Sequence, residues 1–132
     1  MRLLFAIKGL YQAAGGAERV ICDICSYLAD QRAHEVFLLT FDQPGASPFY
    51  PLSRKVILIQ LGIGDTRAPT SLPVLLRRIA VLRKEIRRLS PDVAVGFMHS
   101  MFVPMALALA GSGIPLIASE HIVVDYYHMR RK

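Results

Sequence analysis

The segment from Lys8 to Arg19, KGLYQAAGGAER, has the residue types and spacing best suited to ligand chemistry. It contains neither the G-x-G-x-x-G dinucleotide fingerprint nor the G-x-x-x-x-G-K-S/T phosphate loop. Gly15 and Gly16 precede a predicted helix, where unpaired N–H groups attract an anion and glycine lets a ligand approach the backbone. The alternative is that both glycines only form a tight turn. Glu18 falls in the first helical turn, where the helix dipole stabilises a carboxylate.

Two further polar pairs follow predicted strands. His99 and Ser100 come after the run DVAVGFM, and Glu120 and His121 come after PLIAS. A histidine can form hydrogen bonds through either ring nitrogen and can move a proton near neutral pH. The alternative for His121 is a loop histidine that bonds a backbone carbonyl.

Strand and helix patterns alternate along the chain. The apolar run Leu3–Ile7 is typical of a strand buried on both faces, and Ala17–Arg32 has apolar residues at helical spacing. Similar patterns predict strands over 35–41, 56–61, 92–98 and 115–119, helices over 71–89 and 101–110, and a loop over 42–55. The alternation predicts an α/β fold: a Rossmann-like, doubly wound parallel sheet of about five strands with helices on both faces.

The carboxyl ends of these strands are the expected ligand-binding edge of such a sheet. This rule singles out four places: residues 9–16, Asp42, His99–Ser100 and Glu120–His121.

The composition excludes several classes of protein. With 132 residues, 53% hydrophobic and 20% charged, the chain has enough apolar mass for one core, unlike a disordered tail or a disulfide-stapled miniprotein. Lys8 interrupts the N-terminal apolar run too early for a signal peptide. Residues 93–119 lack Asp, Glu, Lys and Arg, but Pro104, Gly111–Gly113 and Pro115 divide them into pieces too short to span a membrane. A cytoplasmic location is expected, and Cys22 and Cys25 are expected to pack on a helix face.

The basic residues are concentrated. The net charge is +6, and residues 72–90 alone carry six basic residues and one Glu, a net +5. The amphipathic helix that contains Arg77 to Arg88 would either expose a solvated basic side or rest on an anionic membrane surface. Nucleic acid is not expected as a partner, because no aromatic residues alternate with these basic ones.

Several short motifs, taken in order, resemble the opening of family-four-type glycosyltransferases, which have the two-domain GT-B architecture. The matching segments are Gly15-Gly16-Ala17-Glu18-Arg19-Val20, Ala33-His34-Glu35-Val36, Ser90-Pro91-Asp92-Val93, Gly113-Ile114-Pro115-Leu116-Ile117 and Ser119-Glu120-His121. The resemblance implies that residues 1–132 are the N-terminal, acceptor-side domain and that the C-terminal donor domain, with its E-x7-E motif, is absent from this sequence.

The resemblance also implies the activity and the site. The whole enzyme would be a hexosyltransferase that moves a sugar from a nucleotide-diphosphate donor, its co-substrate, to a glycan or lipid-linked acceptor in cell-envelope polysaccharide or glycolipid synthesis. His121 would be the catalytic residue, and the substrate-binding residues would be Gly15, Gly16, Glu18, His99, Ser100 and Glu120. No cofactor and no metal are expected, since D-x-D is absent from the sequence. Peripheral attachment to the inner face of the membrane is a further expectation.

A second hypothesis remains open. The chain could be a non-enzymatic Rossmann-like module that binds a nucleotide or a partner, with Asp42 as the ribose ligand at the end of the second strand. A third is a membrane-docking domain without a small ligand.

Overall fold

The computed structural model describes residues 1–11, 15–32, 34–63 and 71–119. Five strands and three helices occur in this part of the chain, in the order β1 (Arg2–Ala6), α1 (Gly16–Gln31), β2 (Glu35–Thr40), β3 (Ile57–Gln60), α2 (Leu72–Leu89), β4 (Val93–Phe97), α3 (His99–Leu109) and β5 (Leu116–Ser119).

The five strands form one parallel sheet in the order β3-β2-β1-β4-β5. Leu3 in β1 pairs with Val36 of β2 on one side and with Val93 of β4 on the other. The predicted α/β fold with a doubly wound parallel sheet is confirmed. Because the chain moves outward from β1 through β2 to β3 and then crosses to β4, the topological switch point lies between β1 and β4.

Apolar layers cover both faces of the sheet, since alternate residues of a strand point to opposite sides. One layer joins Leu3 and Phe5 of β1 to Ile21 and Cys25 of α1. The other joins the intervening β1 residues to α2 and α3 through Leu82, Ile86, Met101 and Met105. β1 is therefore buried on both faces, as its continuous apolar run predicts.

The structure corrects one boundary that matters for the site. α3 begins at His99, two residues before the predicted start, so His99 and Ser100 lie in its first turn and not in a loop. The helix begins earlier than predicted because Met98, with φ 67° and ψ 152°, turns the chain directly from β4 into α3.

Both cysteines of α1 are buried. Desolvation, reinforced by the neighbouring carboxylates of Asp23 and Glu18, raises the pKa of the Cys22 thiol to about 11. Burial also raises the pKa of Cys25. Both side chains are therefore thiols at neutral pH and pack as small apolar groups, as expected.

In the described residues, no helix combines the length and the apolar character needed to cross a bilayer.

Candidate functional site

The switch point brings two helix N-termini to one edge of the sheet. β1 and β4 are parallel neighbours, so both end at the same edge. The chain that leaves β1 enters α1 on one face, and the chain that leaves β4 enters α3 on the other. The crevice between these two connections is where an open α/β sheet binds ligands.

The start of α1 is open and unstrained. Gly15 is the N-cap residue, with φ −77° and ψ 168°, a conformation available to any residue. Gly16 also lacks a positive φ, and a Cβ added to it would meet no atom within 4 Å. Backbone geometry and packing thus do not require glycine at position 16.

The Glu18 carboxylate lies against Gly15, where it would clash with an added Cβ. It occupies the positive end of the α1 dipole, the location in which a carboxylate is stabilised. An anionic ligand at this N-terminus would have to displace the flexible Glu18 side chain.

The loop after β1 is held by the loop after β2. Asp42 is only 4% exposed, and its Oδ2 accepts hydrogen bonds from the backbone N–H of Leu10 at 2.7 Å and of Tyr11 at 3.3 Å. The N–H of Phe49 donates to the Leu10 carbonyl at 3.0 Å, and Tyr11 pairs with Pro48 in an isolated antiparallel bridge.

This placement gives Asp42 a structural role. The hypothesis that Asp42 binds a ribose requires an accessible carboxylate, whereas the observed one is buried and bonded to the backbone of the neighbouring loop. Asp42 instead fixes the backbone of Leu10 and Tyr11, where the chain leaves β1.

The start of α3 is tight and strained. Met98 has φ 67° and ψ 152°, a region that is essentially restricted to glycine. Its N–H donates to the Ser119 carbonyl at 2.7 Å, and its own carbonyl accepts from the N–H groups of Met101 and Phe102, both at 3.0 Å. A Cβ on Gly96 of β4 would come within 2.8 Å of Phe102 Cβ and 2.9 Å of its Cα, so glycine is required there for the helix to pack this closely.

The described part of the chain contains five of the seven predicted site residues. Gly15, Gly16 and Glu18 begin α1, and His99 and Ser100 begin α3, so the structure brings these five to the same edge. Ser100 is exposed. Glu120 and His121 lie outside the described residues; they follow directly on Ser119, the last residue of β5.

The basic helix α2 does not expose all of its cations. Arg78 is 1% exposed, its guanidinium lies 4.4 Å from the Phe41 ring centroid, and its Nη2 donates to the Ile63 carbonyl at 3.0 Å. Burial lowers the pKa of this guanidinium, but an arginine keeps its charge even so. Among the other basic residues of α2, Arg77, Arg83, Lys84, Arg87 and Arg88 are exposed.

The family model for Glycosyltransferase Family 4 matches residues 14–132. This chain belongs to Glycosyltransferase Family 4. The match begins beside the glycine pair and confirms the resemblance that the short motifs indicate. A comparison with curated protein sequences finds no match.

Solved structures resemble this family 4 chain in fold. The apo form of WaaB, a lipopolysaccharide outer core galactosyltransferase, is 14% identical with a TM-score of 0.67, over 96% of this chain and 35% of WaaB. MurG of Acinetobacter baumannii is 16% identical with a TM-score of 0.62, over 98% of this chain and 39% of MurG. A ugt transferase from Siraitia grosvenorii, solved with UDP, is 16% identical with a TM-score of 0.58, over 94% of this chain and 25% of that protein. The chain therefore spans well under half the length of each of these proteins.

Three residues have roles around the site of this family 4 chain that its sequence does not show. Asp42 is predicted as a ligand residue, but its role in holding a loop depends on hydrogen bonds between two loops. Nothing in the residue type of Met98 indicates a positive φ. The isolated Gly96 within the strand pattern was the available signal, because such a glycine often marks a close backbone approach.

Proposed function

We propose that this chain is the acceptor-side domain of a hexosyltransferase that moves a sugar from a nucleotide-diphosphate donor to a glycan or lipid-linked acceptor. The family 4 match carries the proposal. The geometry of the switch point supports it, because the unobstructed Gly16 begins one helix there and Ser100 lies at the start of the other. Backbone N–H groups at both helix starts suit hydroxyl and phosphate oxygens.

The donor nucleotide belongs, in this proposal, mainly to a second domain that faces the same edge. The Siraitia grosvenorii transferase solved with UDP supports a nucleotide-diphosphate donor, and WaaB, a lipopolysaccharide outer core galactosyltransferase, supports a cell-envelope role. Glu120 and His121 follow the strand next to β4, and His121 is proposed as the catalytic residue, with the acceptor hydroxyl as its partner.

Acceptor binding can be tested by nuclear magnetic resonance on the 132-residue chain. Titration with lipopolysaccharide core oligosaccharides and short glucans is expected to shift the amide signals of Gly15, Gly16 and Ser100. Signals of residues 28–31, at the end of α1 and the opposite edge of the sheet, should stay in place. If no oligosaccharide of the panel moves the switch-point signals, the acceptor assignment is wrong.

A matched pair of variants tests whether Gly16 lies in the acceptor-binding site. Gly16→Val places a β-branched side chain at the start of α1, and Ala80→Val does the same at an exposed position of α2. We expect only Gly16→Val to weaken acceptor binding, by about tenfold, a loss of roughly 1.4 kcal/mol. Equal affinities in the two variants would remove Gly16 from the binding site.

We also propose that α2 rests on an anionic membrane surface, on the cytoplasmic side. Leu72 and Leu76 are 67% and 59% exposed at the start of the helix, and the exposed cations follow along it. A surface Lys or Arg contributes about 1 kcal/mol near anionic lipid. Co-sedimentation with phosphatidylglycerol vesicles should exceed that with phosphatidylcholine vesicles and fall in Leu76→Gln and in Arg77→Gln. Equal binding to both kinds of vesicle would refute the docking.

A further inference from the structure

A cleft of about 470 Å³ opens at the edge of the sheet opposite the switch point. It lies between the C-terminal half of α2, the end of α3 and the turn that leads into β5. Ten residues line it, among them Arg83, Arg87, Ser90, Ser112 and Ile114. Its volume is within the range of small-molecule sites in proteins.

The charged side chains that line the cleft are all basic. Arg83 and Arg87 stand one helical turn apart on α2, and none of the ten lining residues is acidic. The nearby carboxylate of Glu85 is already held by Arg88, with Nη2 at 2.8 Å and Nε at 3.0 Å from Oε2. The carboxylate of Asp92, just beyond Pro91, accepts a hydrogen bond from the N–H of Arg2 at 2.7 Å.

Two helices end at this cleft, and free carbonyls at helix C-termini repel anions. Here donors occupy several of these carbonyls, namely those of Leu107, Ala108 and Leu109 in α3 and those of Ile86 and Arg87 in α2. Arg83 donates from Nε to the Ala108 carbonyl at 3.4 Å and from Nη2 to the Leu107 carbonyl at 3.3 Å. The N–H of Ser112 donates to the Leu109 carbonyl, and that of Ser90 to the Ile86 carbonyl, each at 2.9 Å.

These contacts also hold the Arg83 guanidinium in place. A guanidinium has five N–H donors, so two hydrogen bonds to carbonyls leave others for a ligand. Arg87 adds a second planar fork, the geometry that matches phosphate oxygens.

We infer that this cleft binds the phosphate group of a phosphate ester through Arg83 and Arg87. The site is separate from the switch point, so the inference goes beyond the proposed glycosyl transfer and does not depend on it. The phosphate can belong to a soluble metabolite or to a phospholipid headgroup, since both present the same oxygens to the arginines.

The test compares two arginines of the same helix. Glycerol 3-phosphate is titrated into the 132-residue chain, and the amide signals of Ser90, Ser112 and Ile114 are followed. Arg87→Gln removes a lining guanidinium and should weaken binding about tenfold, whereas Arg77→Gln removes an equal charge from an exposed arginine of the same helix outside the cleft and should change the affinity less than about twofold. Equal weakening in both variants means diffuse attraction to a basic helix and overturns the inference.

A second probe separates the two sources of phosphate. Dihexanoyl phosphatidic acid, below its micellar concentration, carries the same group on a lipid. If either probe shifts the cleft signals and loses affinity in Arg87→Gln, the phosphate site is supported, and the tighter probe identifies the source. If neither probe shifts the cleft signals at about 10 mM, a concentration that would reveal a Kd as weak as about 10 mM, the inference is wrong. Arg87→Lys controls for misfolding, because it keeps the charge. Its affinity for the probe should lie between those of the wild type and Arg87→Gln.

Discussion

The two helices that begin at the switch point do so in opposite ways. α1 starts on exposed glycines with ordinary backbone angles. α3 starts immediately after β4, on a methionine held at positive φ and on a glycine that admits the helix backbone. The α1 N-terminus can admit a ligand once the Glu18 side chain moves aside, whereas the α3 N-terminus is packed into the core.

This difference shows how a site can combine access with position. A strained residue costs about 1–3 kcal/mol and persists only where its surroundings determine it. The three backbone hydrogen bonds of Met98 provide that determination at α3. α1 begins without such strain, because Gly16 has an ordinary φ and open space around it. Substitutions should therefore change stability differently at the two helix starts.

The largest effect is expected at Gly96. Gly96→Ala forces Phe102 away from β4, and overpacking of this kind should lower the free energy of unfolding by about 3 kcal/mol. Urea denaturation measures the loss. The matched control is Gly16→Ala, for which the added methyl meets only open space; similar losses in both variants would contradict the contrast between the two helix starts.

Removal of the Asp42 carboxylate should come next. Asp42→Ala leaves the N–H groups of Leu10 and Tyr11 without this acceptor, at a cost of about 2 kcal/mol. Amide hydrogen exchange at Leu10 and Tyr11 should accelerate. Asp23→Ala, which removes an exposed carboxylate 4.0 Å from Arg19, serves as control and should cost less than about 0.5 kcal/mol. Unchanged exchange in Asp42→Ala would show that the loop is held by other contacts.

The strain at Met98 can be isolated with two substitutions that remove the same side chain. Met98→Gly relieves the positive φ and Met98→Ala retains it, so the glycine variant should be more stable by about 1 kcal/mol. Thermal or urea unfolding of the pair gives the difference. The usual order, with alanine more stable, would mean that residue 98 is not held at positive φ in solution.

The smallest effect on stability is expected at Gly16 itself. Gly16→Ala should leave the free energy of unfolding within about 0.5 kcal/mol of the wild type, because its methyl group enters open space and alanine favours a helix. The same variant should weaken binding of any acceptor that approaches the α1 backbone. Nuclear magnetic resonance titration of both proteins checks this, and a clear loss of stability would show that Gly16 has a packing role after all.

The elements of the fold were predictable because their patterns are local. The uninterrupted apolar run of β1 and the apolar stripe of α2 each follow from spacing alone, and their alternation predicts the parallel sheet. The start of α3 was not predictable, because Met98 has no preference for positive φ and takes it only under the constraint of β5 and the first turn of the helix.

The candidate site shows the same division. Gly15, Gly16 and Glu18 are recognisable from glycine spacing before a helix, and they lie at the switch point. Asp42 follows a predicted strand, which is also the pattern of a ribose ligand, and only its burial beneath Leu10 and Tyr11 identifies it as a support for the loop. Arg78 belongs by sequence to a basic helix, yet it lies in the core against Phe41.

Residue order and spacing are enough to predict the α/β class, the glycine pair before α1, the family resemblance and the concentration of positive charge in one helix. Only in the folded chain is it visible which of those charges reach solvent, which carboxylate supports a loop, and that Arg83 and Arg87 border a cleft at the far edge of the sheet. The physical reason is range: periodicity and backbone preference act over a few residues, whereas burial and hydrogen bonding join residues that are 24 to 32 positions apart, as Arg83 is from Leu107 and Leu10 from Asp42.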